Sequence, residues 1–165
     1  MRKNIFVILL IATLPIFSYA TVDDQKLVGQ GKLNYYFWHI YDASLYSANG
    51  EFSFDKPFAL KLDYKRKLYG DKIADRSAEE IKQLGFDDDS KLAAWRAQMK
   101  DIFPDVDDGT SITGYYTPDK PTVFYKNNKK AGVIQDPEFG EWFFGIWLDK
   151  NTSEPKLRKA LLGGK

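Results

Sequence analysis

The side chains able to do chemistry in this sequence are tyrosines, acids, lysines and one histidine. Tyr35, Tyr36, Tyr41, Tyr46 and Tyr64 fall in two stretches rich in aromatic and β-branched residues. A phenol packs as an apolar ring, yet its hydroxyl needs a partner when buried. A sheet face lined with such rings and roofed by helices suits a flat or long apolar ligand. The same rings equally suit a filled core whose hydroxyls reach the surface. His39 is the one histidine, and cysteine is absent. A zinc site therefore lacks ligands, and a thiol nucleophile is excluded. No G-x-S-x-G elbow accompanies His39, so no serine triad is expected. His39 alternates with core-type aromatics and reads as a packed or partly exposed strand histidine.

The acidic runs are no better as sites. Counting back from Gly109 through Asp108, Asp107 and Asp105 puts Pro104 at the first ligand position, which breaks EF-hand spacing. Capping and turn chemistry account for this run and for Asp87-Asp88-Asp89. Paired-carboxylate hydrolysis stays open, because spacing alone does not say which acids meet. Gly29-Gln30-Gly31 lacks the third glycine of a dinucleotide fingerprint and reads as a turn or a strand glycine pair. No cofactor and no metal are expected.

These residues need elements to position them. Leu33 to Tyr46 reads as one long strand with large groups on both faces, hence central and covered on both sides. Phe58, Leu60, Leu62 and Tyr64 alternate with polar residues as in a half-buried strand. Ser77-Ala78-Glu79-Glu80 has the form of a capping box that opens a helix, which Gly85 stops. Asp88, Asp89 or Ser90 caps a second helix with the stripe Leu92, Trp95, Met99, ended by Pro104. Strands follow near 111–117 and 122–126, and Asn127-Asn128 closes a hairpin into 132–135. Asp136-Pro137 opens a third helix, and Ser153 caps a last one before Gly163-Gly164. Strands, then helices, then a hairpin and more helices read as α+β, with helices on one face of an antiparallel sheet.

The chain has 165 residues, with 24 Lys and Arg against 23 Asp and Glu. That balance lacks the clustered positive excess of a nucleic-acid-binding surface, so no nucleic-acid partner is expected. Arg2 and Lys3 precede an apolar run from Ile5 to Phe17, and Ser18-Tyr19-Ala20 supplies small residues at the cleavage positions. Residues 1–20 read as a secretory signal peptide cut after Ala20, leaving a single domain over 21–165. No later segment is apolar for long enough to span a bilayer.

Several stretches resemble the bacterial, secreted branch of the chalcone isomerase-like superfamily. They are Tyr41-Asp42-Ala43-Ser44-Leu45-Tyr46, Leu62-Asp63-Tyr64-Lys65-Arg66, Phe103-Pro104-Asp105-Val106 with Gly109, Phe139, Phe144-Gly145-Ile146-Trp147-Leu148, Leu157-Arg158 and Leu161-Leu162-Gly163. They occur in order over about residues 27 to 163. The resemblance implies a large antiparallel sheet covered on one face by helices, and a periplasmic location. It also implies one of two activities. Plant members close a flavanone ring with an arginine, a threonine and a tyrosine, and other members resemble non-enzymatic fatty-acid binders. Carried onto this sequence, the arginine position falls at Gln30, the threonine at Tyr41 and the tyrosine near Ile73. Losing one preorganised donor to an oxyanion costs about 10²- to 10³-fold in rate, so plant-type cyclisation is not expected.

The leading expectation is an exported protein that binds a hydrophobic small molecule such as a fatty acid. Tyr41 and Tyr64 would lie in its cleft, near Gln30 and Ile73. Arg66 is either a bidentate partner for a ligand carboxylate or an exposed strand-end arginine or ion pair. Two alternatives remain. One is an isomerase or lyase acting on an unsaturated carbonyl compound through Tyr41. The other is an interaction module with an exposed aromatic patch, for example around Trp142 and Trp147.

Overall fold

The computed structural model describes residues 22–164. The leader expected over residues 1–20 lies outside them. Among the described residues no helix is long and apolar enough to cross a membrane.

Six antiparallel strands lie side by side in chain order: β1 (Lys26–Tyr35), β2 (Trp38–Ser47), β3 (Phe58–Tyr64), β4 (Ser111–Tyr116), β5 (Thr122–Lys126) and β6 (Lys129–Ile134). Helices α1 (Gly70–Gln83) and α2 (Asp89–Ile102) are inserted between β3 and β4, and α3 (Pro137–Leu148) and α4 (Pro155–Leu161) follow β6. The architecture is α+β, as expected from the order of elements. Register places Tyr41 opposite Tyr64, Ala43 opposite Leu62 and Leu45 opposite Leu60, so one face of β2 and β3 is continuously apolar and buried. On that face α3 packs against β4 and β5, α4 against β1 and β2, and α2 against β6. The interface is a lattice of rings: Phe139 stacks on Phe143, Phe143 meets Phe124 and Phe103 edge-on or tilted, and Phe86 stacks on Trp95. Such pairs add to simple area burial.

Three local expectations are corrected. The stretch Leu33–Tyr46 is two strands, because the chain reverses at Tyr36-Phe37 with Tyr36 at φ 52° and Tyr35 paired to Trp38. A two-residue hairpin needs positive φ, which Asn or Gly ordinarily supplies, and no such residue marks the turn. Tyr35, Tyr36, Phe37 and Trp38 are consequently exposed rather than covered. The helix expected to start at Ser77 starts seven residues earlier, and the Ser77 hydroxyl donates to the Ile73 carbonyl inside it. The α1 N-terminus carries no side-chain cap of its own; the Gly70 amide donates to Asp105 Oδ1, 35 residues away. Ser153 likewise does not cap α4, where Glu154 holds that position, and its hydroxyl donates to Glu80 instead.

Other local signals match the structure. Asp88 accepts from the Lys91 amide to cap α2, and Asp136 accepts from the Glu138 amide to cap α3, with Pro137 in its first turn. Asn127 and Asn128 turn the β5–β6 hairpin at φ 46° and 65°.

Candidate functional site

Between the apolar sheet face and the helices lies a cavity of about 270 Å³. Its floor is Tyr41 of β2, Leu62 and Tyr64 of β3 and Ile112 of β4; its roof is Ile73 and Ser77 of α1 with Phe143, Ile146 and Trp147 of α3. Leu33, Ile40 and Leu68 line it at the end nearest the β1–β2 hairpin. An apolar cavity of roughly 150 Å³ stays dry and takes up benzene, so this space accepts a substantially larger apolar group.

Two phenols stand in it. Tyr41 and Tyr64 meet edge-on at 5.6 Å between ring centroids. Trp147 Nε1 donates to the Tyr41 hydroxyl oxygen at 2.9 Å across 106 residues of sequence. Among the described residues no hydrogen bond engages the Tyr64 hydroxyl. Burial drives both phenol pKa values above the ordinary range, outweighing the Trp147 hydrogen bond at Tyr41. Both groups are therefore neutral hydrogen-bonding groups at working pH, unsuited to acting as bases.

The rim is charged and comes from α1 and the loop before α4. Ile73, Ser77 and Glu80 recur at helical spacing and face the cavity together, and Lys72 and Arg76 line its edge. The Glu80 side chain is 7% exposed. It accepts from Arg76 on one oxygen and from Ser153 Oγ at 2.8 Å on the other. The Arg76 side chain is 63% exposed and also lies 3.7 Å from Glu79, while Lys72 has only a 3.9 Å contact with Asp75. Two cations, Lys72 and Arg76, and the acid Glu154 thus border an apolar chamber, and Glu80 beneath them is held by its own partners.

The structure distributes the residues singled out from sequence unevenly. Tyr41, Tyr64 and Ile73 line the cavity. Gln30 pairs with Ser44 on the sheet face away from the helices and is exposed. Arg66 is also outside the cavity lining: its guanidinium lies 4.3 Å above the Trp38 ring. The patch expected at Trp142 and Trp147 is not exposed, since Trp147 is buried in the cavity wall and Trp142 packs on Phe86. Sequence reasoning did not place Lys72, Arg76, Glu80 or Trp147 in the cleft. The i, i+4, i+7 spacing of Ile73, Ser77 and Glu80 was the available signal, and starting α1 at Ser77 hid it.

His39 and Asp42 form a partly exposed surface pair with Lys65. Among the described residues no group of three His, Cys, Asp or Glu is placed to hold a metal ion.

The chalcone isomerase-like family model matches residues 12–163. This chain belongs to the chalcone isomerase-like family. Its similarity to an uncharacterised protein of Haemophilus influenzae is 27% identity over 156 residues, spanning 94% of this chain and 76% of that one. Its fold is shared with a fatty-acid binding protein of Arabidopsis thaliana at a TM-score of 0.65 and 13% identity, over 90% of this chain and 91% of the other.

Proposed function

We propose that this chalcone isomerase-like protein is an exported carrier of a hydrophobic small molecule with an acidic head, a medium-chain fatty acid, and that it does not perform plant-type ring closure. The observation that carries the reading is the apolar cavity bordered by Lys72 and Arg76. The fatty-acid binding protein of the same fold supports it, and the resemblance seen in the sequence sets Gln30, Tyr41 and Ile73 where plant members carry their catalytic residues. Export is supported by the leader-like residues 1–20 and their small residues before the cut after Ala20; the mass of the chain recovered from the periplasm of a bacterial host tests that cut.

Energetics assign roles within the site. Burying about nine methylenes contributes roughly 7 kcal/mol, which is comparable to the roughly 4–15 kcal/mol cost of association. The head group therefore decides whether binding is measurable. Arg76 can offer a carboxylate the donors that Glu80 does not occupy, and a charge-assisted hydrogen bond contributes about 1.5–3 kcal/mol. Decanoate and decanol discriminate this reading by calorimetry or native mass spectrometry. Decanoate binds more tightly, and Arg76→Ala weakens decanoate about tenfold or more while leaving decanol nearly unchanged. No uptake of either compound, or equal affinities unaffected by Arg76→Ala, overturns it.

A further inference from the structure

The cavity wall continues into the most exposed aromatic feature among the described residues. Leu33 and Ile40 line the cavity, and the hairpin that carries them ends in Tyr35 (65% exposed), Tyr36 (81%), Phe37 (99%) and Trp38 (59%). Solvating four consecutive rings at a tip is costly, and the β1–β2 turn would close more readily on Asn-Gly. One cation lies on the tip and another follows it in sequence. Arg66 lies over Trp38 and Lys67 lies 5.4 Å from the centroid of the half-exposed Tyr69. Residues 64–70 contain Lys65, Arg66 and Lys67, of which Lys65 is paired with Asp42, and Lys32 is exposed on β1.

We infer that this hairpin tip docks on an anionic lipid bilayer, placing the cavity beside the lipid from which an acyl ligand leaves or to which it returns. Three properties favour a bilayer over a protein. Burying all four rings removes on the order of 600 Å², below the roughly 800 Å² per partner of a stable protein interface. The tip is convex, with Phe37 almost fully solvated, so it suits insertion into a soft surface. Tyr and Trp flanked by Lys and Arg are the side chains that settle at the membrane–water interface, with rings at headgroup depth and cations on anionic headgroups. Docking itself is independent of the cavity's ligand; only the exchange step rests on the acyl-carrier reading.

Flotation of the full chain with vesicles of phosphatidylglycerol and phosphatidylcholine, against vesicles of phosphatidylcholine alone, tests the inference. The protein floats with the anionic vesicles, and added salt weakens this. Phe37→Ser with Tyr36→Ser lowers the partition coefficient at least tenfold, and Arg66→Gln with Lys67→Gln lowers it by a similar factor on the anionic vesicles only. Thermal melts confirm that these substitutions leave the fold intact, and decanoate affinity stays at the wild-type value in both variants. Absence of flotation overturns docking, as does flotation that the tip variants leave unchanged, which assigns binding to another part of the chain. A tip-dependent dimer in sedimentation, without vesicle binding, overturns it in favour of a second copy. Vesicle binding without decanoate binding refutes the carrier reading and leaves docking standing.

Discussion

At the scale of single residues, the two buried phenols have different duties. The Tyr41 oxygen accepts from the Trp147 indole, so Tyr41→Phe leaves a buried N–H without its acceptor, which costs about 1–3 kcal/mol. Tyr64→Phe removes a hydroxyl that no described residue engages and is expected to cost far less. Urea midpoints of the two variants compare them directly; equal losses would refute the asymmetry. Arg76 and Arg66 show the same separation of roles. The sequence points to Arg66 as the carboxylate partner, yet it is Arg76 that lines the cavity, because α1 carries it there while Arg66 follows the end of β3 and covers Trp38.

At the scale of elements, close approach and capping set the frame of the site. A Cβ on Gly29 would meet the Ala160 carbonyl oxygen at 2.3 Å and the Leu161 carbonyl oxygen at 2.5 Å. These are backbone atoms that cannot turn aside, so β1 and α4 dock only if this residue is glycine. Gly29→Ala is expected to destabilise by about 2–3 kcal/mol, lowering Tm by about 5–10 °C, as calorimetry would register. The α3 cap makes a pH-dependent contribution. Burial acts to raise the Asp136 pKa, but the Glu138 amide, the Trp95 indole and Lys91 outweigh it and hold the carboxyl below the usual range. A depressed carboxyl pKa contributes stability above the unfolded value of about 3.9 and loses it as pH falls through the folded value. Asp136→Asn keeps a capping oxygen but loses the charge that Lys91 and the helix N-terminus favour, and should cost about 0.5–1 kcal/mol at neutral pH. The gap from wild type should narrow below about pH 4. Denaturant titrations at both pH values check the direction, and a gap that widens in acid would contradict it.

At the scale of the whole molecule, one sheet face and its helices must enclose both a packed core and a space. The rings of Phe124, Phe139, Phe143 and Phe144 fill the region under β4 and β5, and the space lies between β2–β3 and the helices α1 and α3, around Tyr41 and Tyr64. A ligand that fills it binds the folded chain alone and stabilises it by mass action, about 2.7 kcal/mol at a concentration of 100 Kd. Saturating decanoate should thus raise Tm by about 5–10 °C. An Ile73→Trp variant, which fills the cavity, should show little further rise.

Much of this was legible in the sequence wherever the deciding forces are local. Alternation in β3, the aspartate caps of α2 and α3, and the Asn127-Asn128 turn depend on neighbours a few residues apart, so residue order alone determined them. Element order likewise determined the α+β architecture. The β1–β2 reversal escaped because a tyrosine occupies the positive-φ position. The start of α1 escaped because its amide partner is Asp105, distant in sequence. The site followed from those two decisions. Moving the start of α1 to Gly70 brought Ile73, Arg76 and Glu80 onto one helical face, and only packing against β2 and α3 set Trp147 beside Tyr41. Periodicity shows which face of an element is apolar; whether two such faces meet fully or leave a chamber depends on side-chain volumes summed across elements far apart in the chain, and only the tertiary structure decides that.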